Sequence, residues 1–238
     1  MIVYAAGSLR RALNPLLARF QARTGHAVSV QYGPAGLLRE RIAAGEPCDL
    51  FASANTAHPQ TLLDAGRAFR VQTFAFNRLN LTARAGLSGS WLTLLADASL
   101  RLGTSTPGCD PSGDYTWQLF ERIDAHLPGT GEAIRRRAQP LVGGRRSPPV
   151  PEGEVASAWL IRSQQADLFI GYAHYAQALK EADNLQVFDI PAPYNPHCEY
   201  QLACLSHTPA VQALAQFMLA AEGQAFFREA GLLTLDGE

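Results

Sequence analysis

The stretch Tyr4-Ala5-Ala6-Gly7-Ser8-Leu9-Arg10 decides how the rest of the chain is read. Residues 1–6 are a short apolar run suited to a buried strand. Gly7 breaks it, Ser8 stands where a helix N-cap belongs, and Leu9, Leu13, Leu16, Leu17 and Phe20 then recur at helical spacing. A strand, a small-residue turn and a helix start make an anion site. The first-turn N–H groups lack intrahelical partners, and the helix dipole favours negative charge there. A serine that only caps its helix would read the same way at this one place, so the later segments have to decide.

Those segments repeat the unit. Pro15 falls inside the first helix, where it removes a hydrogen bond, and Gly25 suits the helix end. Residues 27–32 alternate as a strand. Gly33-Pro34-Ala35-Gly36 is a second small-residue turn, opening a helix with Leu37, Leu38 and Ile42 apolar. Asp49 to Ala54 is a third strand and Pro59 to Ala65 a third helix. Three strand–turn–helix units in a row predict a doubly wound, mainly parallel sheet, which binds ligands at the carboxyl ends of its strands. Ser8 and Ala35 both belong at that end. From Val71 to Ala85 two extended segments, broken at Asn77-Arg78, carry the chain into a second α/β set. This places residues 1–80 and 200–238 in a first lobe and 81–199 in a second. The second set runs through a strand at 101–105, a long turn at 106–114 and helices near 114, 131–138 and 154–163. A strand at 167–171 ending at Tyr172 follows, then a strand at 184–190. The chain finishes with a strand at 200–205 and two helices.

The bulk numbers exclude more than they assign. The 238 residues are 47% hydrophobic with a net charge of −1, which supplies ample core but no basic face for nucleic acid or an anionic membrane. No apolar run is long enough to span a bilayer. Met1 leads straight into the first strand, with no basic segment or cleavage site ahead of it. That leaves a cytoplasmic protein or a mature form whose leader is replaced by a start Met. Cys48, Cys109, Cys198 and Cys204 include no CxxC pair, and the six histidines show no HExxH spacing, so no free metal ion is expected. Cys198 and Cys204 fall beside one strand, ~20 Å apart if extended, too far for a disulfide.

Three stretches together resemble the periplasmic molybdate-binding proteins of ABC importers. They are Ala5-Ala6-Gly7-Ser8-Leu9, the run Arg41-Ile42-Ala43-Ala44-Gly45-Glu46-Pro47-Cys48-Asp49-Leu50-Phe51-Ala52-Ser53-Ala54, and Gln165-Ala166-Asp167-Leu168-Phe169-Ile170-Gly171-Tyr172. The likeness continues through Ala221-Glu222-Gly223-Gln224-Ala225 and Ala230-Gly231-Leu232. It implies a type II periplasmic binding protein, two-lobed, with each lobe a doubly wound, mainly parallel sheet flanked by helices. In such a receptor a tetrahedral oxyanion, molybdate or tungstate, sits in the interlobe cleft on neutral hydrogen-bond donors. No cofactor and no catalysis are implied. The partners implied are the oxyanion and a membrane permease, without nucleic acid or membrane insertion, and the chain would be a monomer in the periplasm.

Carried over by position, the resemblance gives Gly7 and Ser8 in the first turn, with both the hydroxyl and the N–H of Ser8 donating. A second family serine falls on Ala35, which leaves only the Ala35 and Gly36 N–H groups. In the second lobe it gives Ser112 at a strand-to-helix turn, a donor at Glu154 or Val155, and the hydroxyl of Tyr172. Asp110 and Asp114 depart from the pattern. Their carboxylates either repel a dianion, cap the helix, or approach the oxyanion's metal centre, as in similar archaeal tungstate receptors. The competing classes are a receptor for another small anion, a cytoplasmic anion-sensing domain, and a hydrolase. The hydrolase would need His26, His58 or His174 at Ser8, yet the chain has no GxSxG, Walker loop or GxGxxG. Arg145 and Arg146 lie in a Pro/Gly-rich loop and read as a solvated face; the alternative is that they raise the local anion concentration at the cleft mouth. On that alternative, Arg145→Ala with Arg146→Ala is expected to slow ligand association at low salt. Stopped-flow traces that match the parent's at low salt would discard this steering.

Overall fold

The structure, a computed structural model, describes residues 1–237 and divides into two compact units, Met1–Asn77 with Cys198 onward, and Arg78–His197. The first unit opens with β1 (Ile2–Ala6), α1 (Arg10–Thr24), β2 (Ser29–Gly33), α2 (Ala35–Ala43), β3 (Leu50–Ser53), α3 (Ala57–Asp64) and β4 (Arg70–Asn77). The second holds β5 (Leu79–Arg84), α4 (Trp91–Ala96), β6 (Leu102–Ser105), α5 (Pro111–His126), α6 (Thr130–Arg137), β7 (Gln139–Val142), α7 (Ala156–Arg162), β8 (Leu168–Tyr172), α8 (Ala176–Glu181) and β9 (Leu185–Asp189). The chain then returns to the first unit as β10 (Cys198–Cys204), α9 (Pro209–Leu219) and α10 (Ala221–Glu229).

Each unit is built on one five-stranded sheet, in the orders β2-β1-β3-β10-β4 and β7-β6-β8-β5-β9. β1 pairs parallel with β2 and β3, and β10 lies antiparallel between β3 and β4. In the second sheet β6 pairs parallel with β7 and β8, and β5 lies antiparallel between β8 and β9. The two sheets therefore share one plan: four parallel strands and a single reversed one, fourth in the order. The reversed strand is in each case the first that the chain forms after crossing from the other unit.

Burial follows from this plan. β1 and β3, covered on both faces, are near-continuous buried runs of Val, Tyr, Ala, Leu and Phe. α1 turns Ala12, Leu13, Leu16, Leu17 and Phe20 inward and leaves Pro15 on its exposed side, and Gly25 closes it at φ +75°. The first core closes around Phe51, Phe74, Tyr200 and Phe227, with Phe74 and Phe227 centroids 5.2 Å apart. One face of the second sheet packs Val142, Leu160, Ile161, Ala166 and Phe169. β7 and α4 have little sequence signal. β7 is a four-residue edge strand containing Pro140, and α4 is six residues held by Ser90, whose hydroxyl accepts the Thr93 N–H at 3.2 Å. The four cysteines form no disulfide among the described residues, and no helix among those residues is long and apolar enough to cross a membrane.

The first residue of β5 is fixed by a side chain acting as a strand. Asn195 Oδ1 accepts the Leu79 N–H at 2.9 Å, and its Nδ2 donates to Leu79 O at 2.8 Å and to Ile190 O at 3.2 Å. All three bonds are buried, so Asn195→Leu would strand three main-chain groups. The expected cost is roughly 2–4 kcal/mol of unfolding free energy, read from urea denaturation. A midpoint equal to the parent's would show that the bonds are dispensable.

Candidate functional site

In the first unit, β1 lies between two parallel neighbours in the register Ala6↔Gly33 and Ala5↔Ala52, so the three strands end on one edge. The turns that follow them bring Ser8, Ala35 and Asn55 to that edge. Gly7 begins a 3-10 turn, Gly7–Leu9, that runs into α1, and a Cβ built on Gly7 would meet nothing within 4 Å, so the turn is open there. The Ser8 hydroxyl lies 2.9 Å from that of Tyr200, on β10, and Asn77 Nδ2, at the end of β4, donates to the Tyr200 hydroxyl at 3.2 Å. Ser8 lies inside the 3-10 turn, whose N-cap is Ala6, and the N-cap of α1 is Leu9, so Ser8 occupies neither N-cap position.

α2 starts without a side-chain cap. Pro34 precedes it and has no N–H, and the first helical bond is Leu38 N to Pro34 O at 3.0 Å. Among the described residues no acceptor is bonded to the N–H groups of Ala35, Gly36 or Leu37. Asn55 was not singled out in the sequence. Its Oδ1 accepts from the Ser53 hydroxyl at 2.9 Å and from the His58 N–H at 3.1 Å, which ties the end of β3 to α3. An Asx acceptor three residues before a donor is the signal that could have found it.

The histidines proposed as partners for Ser8 are engaged elsewhere. His58 Nδ1 accepts from Arg39 Nε at 3.1 Å, and burial together with Arg39 pushes its pKa down to about 4. His26 stacks on Phe20, and His174 belongs to the second unit, against Tyr175.

In the second unit, β6 leads through Thr106 to Asp110 into α5. Asp110 caps that helix: Oδ1 accepts the Ser112 N–H at 3.2 Å and Oδ2 the Ser105 hydroxyl at 2.8 Å. Gly113 N donates to Asp110 O at 3.0 Å, and the Gly108 N–H reaches Asp114 Oδ1 at 2.8 Å. Two close approaches wedge the turn in place. A Cβ on Gly113 would fall 2.5 Å from Pro107 N, and one on Gly143, at φ +73°, 2.6 Å from Asp110 Oδ2. The main-chain donor expected at Ser112 is thus already spent on Asp110, and what Ser112 offers a ligand is its hydroxyl. Asp110 caps α5, and Asp114, in its first turn, holds the preceding turn through Gly108. Burial is the largest influence on both and raises both carboxyls, against the hydrogen bonds they accept.

The remaining expected residues divide. Glu154 is corrected as a donor: its N–H goes to Pro151 O at 3.1 Å, and its carboxylate pairs with Arg162, which holds it below the usual range. Val155 precedes α7, which has no side-chain cap, and Ser157, 4% exposed, adds a first-turn hydroxyl that the sequence reading passed over. Tyr172 ends β8 opposite Leu79, and its ring meets that of Tyr115 on α5 at 6.5 Å and 70°. Within the second unit Tyr172 thus lies beside the N-terminal half of α5.

Comparison with known proteins agrees with this architecture. Residues 1–233 match the family described as bacterial extracellular solute-binding proteins. An uncharacterized protein of Pasteurella multocida is 39% identical over 241 residues, 98% of each chain. The molybdate-binding protein ModA of Mycobacterium tuberculosis is 29% identical over 139 residues, 56% of this chain and 52% of that protein. The periplasmic molybdate-binding protein of Azotobacter vinelandii superposes with a TM-score of 0.75 at 23% identity, over 98% of both chains.

The Asp110 cap makes stability depend on pH. Its carboxyl binds a proton more readily in the fold than in the unfolded chain, whose value is about 3.9. Its ionisation therefore costs stability, increasingly as pH rises through the folded value. Asp110→Asn keeps an oxygen for the Ser112 N–H. Its thermal midpoint relative to the parent is expected to climb as pH rises above the unfolded-chain value of about 3.9. An offset that stays flat over that range contradicts the assignment.

Proposed function

The chain belongs to the bacterial extracellular solute-binding proteins, and from that membership we propose that it is the receptor of an ABC importer for a tetrahedral oxyanion, molybdate or tungstate. Members of the family are solute-binding proteins, not enzymes, so Ser8 is a donor and not a nucleophile. The observation that carries the reading is the start of α2. Its first N–H groups, on Ala35, Gly36 and Leu37, have no acceptor among the described residues and lie on the same strand edge as the Ser8 hydroxyl.

The physical case is direct. A dianion draws charge-assisted bonds worth ~1.5–3 kcal/mol each from fixed N–H and O–H donors, and donors already in place spare the ordering cost. Within the second unit, the donors proposed for a ligand are the hydroxyls of Ser112 and Tyr172 and the main-chain N–H groups from Val155 into α7. The likeness to a molybdate-binding relative over 139 residues supports the choice of anion. Delivery to a permease and residence in the periplasm follow from the family role.

One observation favours a second reading, a receptor for a different oxyanion or a small organic anion. Ala35 brings no hydroxyl to α2, and the Asp110 carboxylate already takes the Ser112 N–H. A thermal-shift screen of molybdate, tungstate, sulfate, phosphate and vanadate separates the two, because linked stabilisation grows as the logarithm of concentration over dissociation constant, about 4 kcal/mol at 1,000-fold. Molybdate and tungstate are expected to raise the midpoint most. No shift with any of the five would sink the oxyanion assignment. Ser8→Ala is expected to weaken binding by roughly 1–3 kcal/mol by calorimetry.

A further inference from the structure

The inner strands of a sheet covered by helices on both faces are expected to be apolar throughout. β8 obeys, with Leu168, Phe169 and Ile170 all buried. β5 does not: Leu79, Leu81 and Ala83 face one side, and Asn80 and Thr82 the other. Such alternation reads as a strand with a wet face, yet Asn80 and Thr82 are each 1% exposed. The register explains their burial. Thr82 lies between Phe169 on β8 and Val187 on β9, and Asn80 between Gly171 and Asp189. Phe169 packs with Leu160 and Ile161 of α7, so this is the face that α7 covers. Three polar atoms there are shut off from bulk solvent with no hydrogen-bond partner among the described residues: Asn80 Nδ2, Asn80 Oδ1 and Thr82 Oγ1.

A buried amide or hydroxyl without a partner is costly, and folded proteins satisfy such groups with ordered water where the site is polar enough to hold it. Asn80 and Thr82 supply that setting. As residues i and i+2 of one strand they share a face, with Cα atoms about 6.7 Å apart, a span that one water about 2.9 Å from each polar atom closes. The amide offers N–H donors and an acceptor oxygen, and the hydroxyl offers both kinds. Gly171, opposite Asn80, leaves out the side chain that would otherwise fill the row, and a Cβ there would meet only the Phe169 ring, at 3.0 Å. We propose that Asn80 and Thr82 build an internal hydration site, in which ordered water between β5 and α7 bridges the Asn80 amide and the Thr82 hydroxyl. Water fits better than an ion. The one carboxylate in the register, Asp189, is exposed on the edge strand, so a buried cation would lack a counter-charge. The inference is independent of the ligand reading, since neither residue is assigned to the ligand.

Long-lived internal water is counted by magnetic relaxation dispersion of the water oxygen, for the full chain and for Asn80→Leu combined with Thr82→Val. Urea denaturation is followed for both and for each single variant. The full chain is expected to hold at least one long-lived water that the double variant lacks, and equal counts overturn the site. Thr82→Val alone takes a partner from the water, so the unfolding equilibrium constant should rise roughly two- to tenfold. In the Asn80→Leu background the same change should be neutral or stabilising, because no polar partner is left behind. A Thr82→Val chain more stable than the parent would mean that the hydroxyl is buried bare, and overturns the proposal. A direct bond between the two side chains would give the same coupling without a lost water, which the count exposes. Should the double variant fail to fold, a crystal structure of the full chain at a resolution that shows ordered water decides. Water within bonding reach of the Asn80 amide and Thr82 Oγ1 supports the site, and the two side chains bonded to each other overturn it. Density without a water there overturns it too.

Discussion

Parallel pairing of β1 between β2 and β3 is the constraint on which the first unit's chemistry depends. Strands that run the same way must end on the same edge, and each right-handed crossover then starts its helix there. The donors that a helix cannot satisfy internally are gathered where the sheet stops, whatever the side chains are. The sequence at those ends only chooses what to do with them. At α2 it uses Pro34, Ala35 and Gly36, residues without side-chain acceptors, and no acceptor among the described residues takes the first donors. At α5 it uses Asp110, and the same kind of position is closed by the protein's own carboxylate.

That contrast bears on ligand chemistry. Two helix starts of the same topological origin, one in each sheet, have been given opposite electrostatic treatment. The buried Asp110, braced by Ser105 and crowded by Gly143, is fixed by geometry, so it is no flexible gate. A dianion near α5 would meet hydroxyls and a capped helix. Near α2 it would meet bare N–H groups.

Much of this was legible in the sequence, for physical reasons. Strand–turn–helix units announce themselves because apolar periodicity switches from continuous to helical at small residues such as Gly7 and Gly33. The crossing at Asn77-Arg78 was visible because two extended segments adjoin with no helix between them. What escaped was short or marginal: β7 carries Pro140 on an edge, and α4 spans six residues. The reversed strands also escaped, since a strand's direction leaves no trace in its own composition. Within the site, residue types were readable but not their commitments. Nothing local says that Glu154 is turned to Arg162, that the Ser112 N–H is taken, or that Ser8 meets a tyrosine from nearly the other end of the chain.

The position of β10 has a consequence for how the molecule is made. It lies between β3 and β4, so the first sheet stays divided, β2-β1-β3 on one side and β4 on the other, until residues 198–204 exist. The second unit is one continuous segment, 78–197, with all five of its strands inside it. Order of synthesis and order of completion are therefore inverted. The unit begun second can close on its own local contacts, while the unit begun first must wait for a partner more than a hundred residues downstream and bear the loop-closure entropy of reaching it. Until then β3 and β4 each present an open hydrogen-bonding edge, and it is in that interval, not in the finished protein, that the chain is most exposed to wrong pairing.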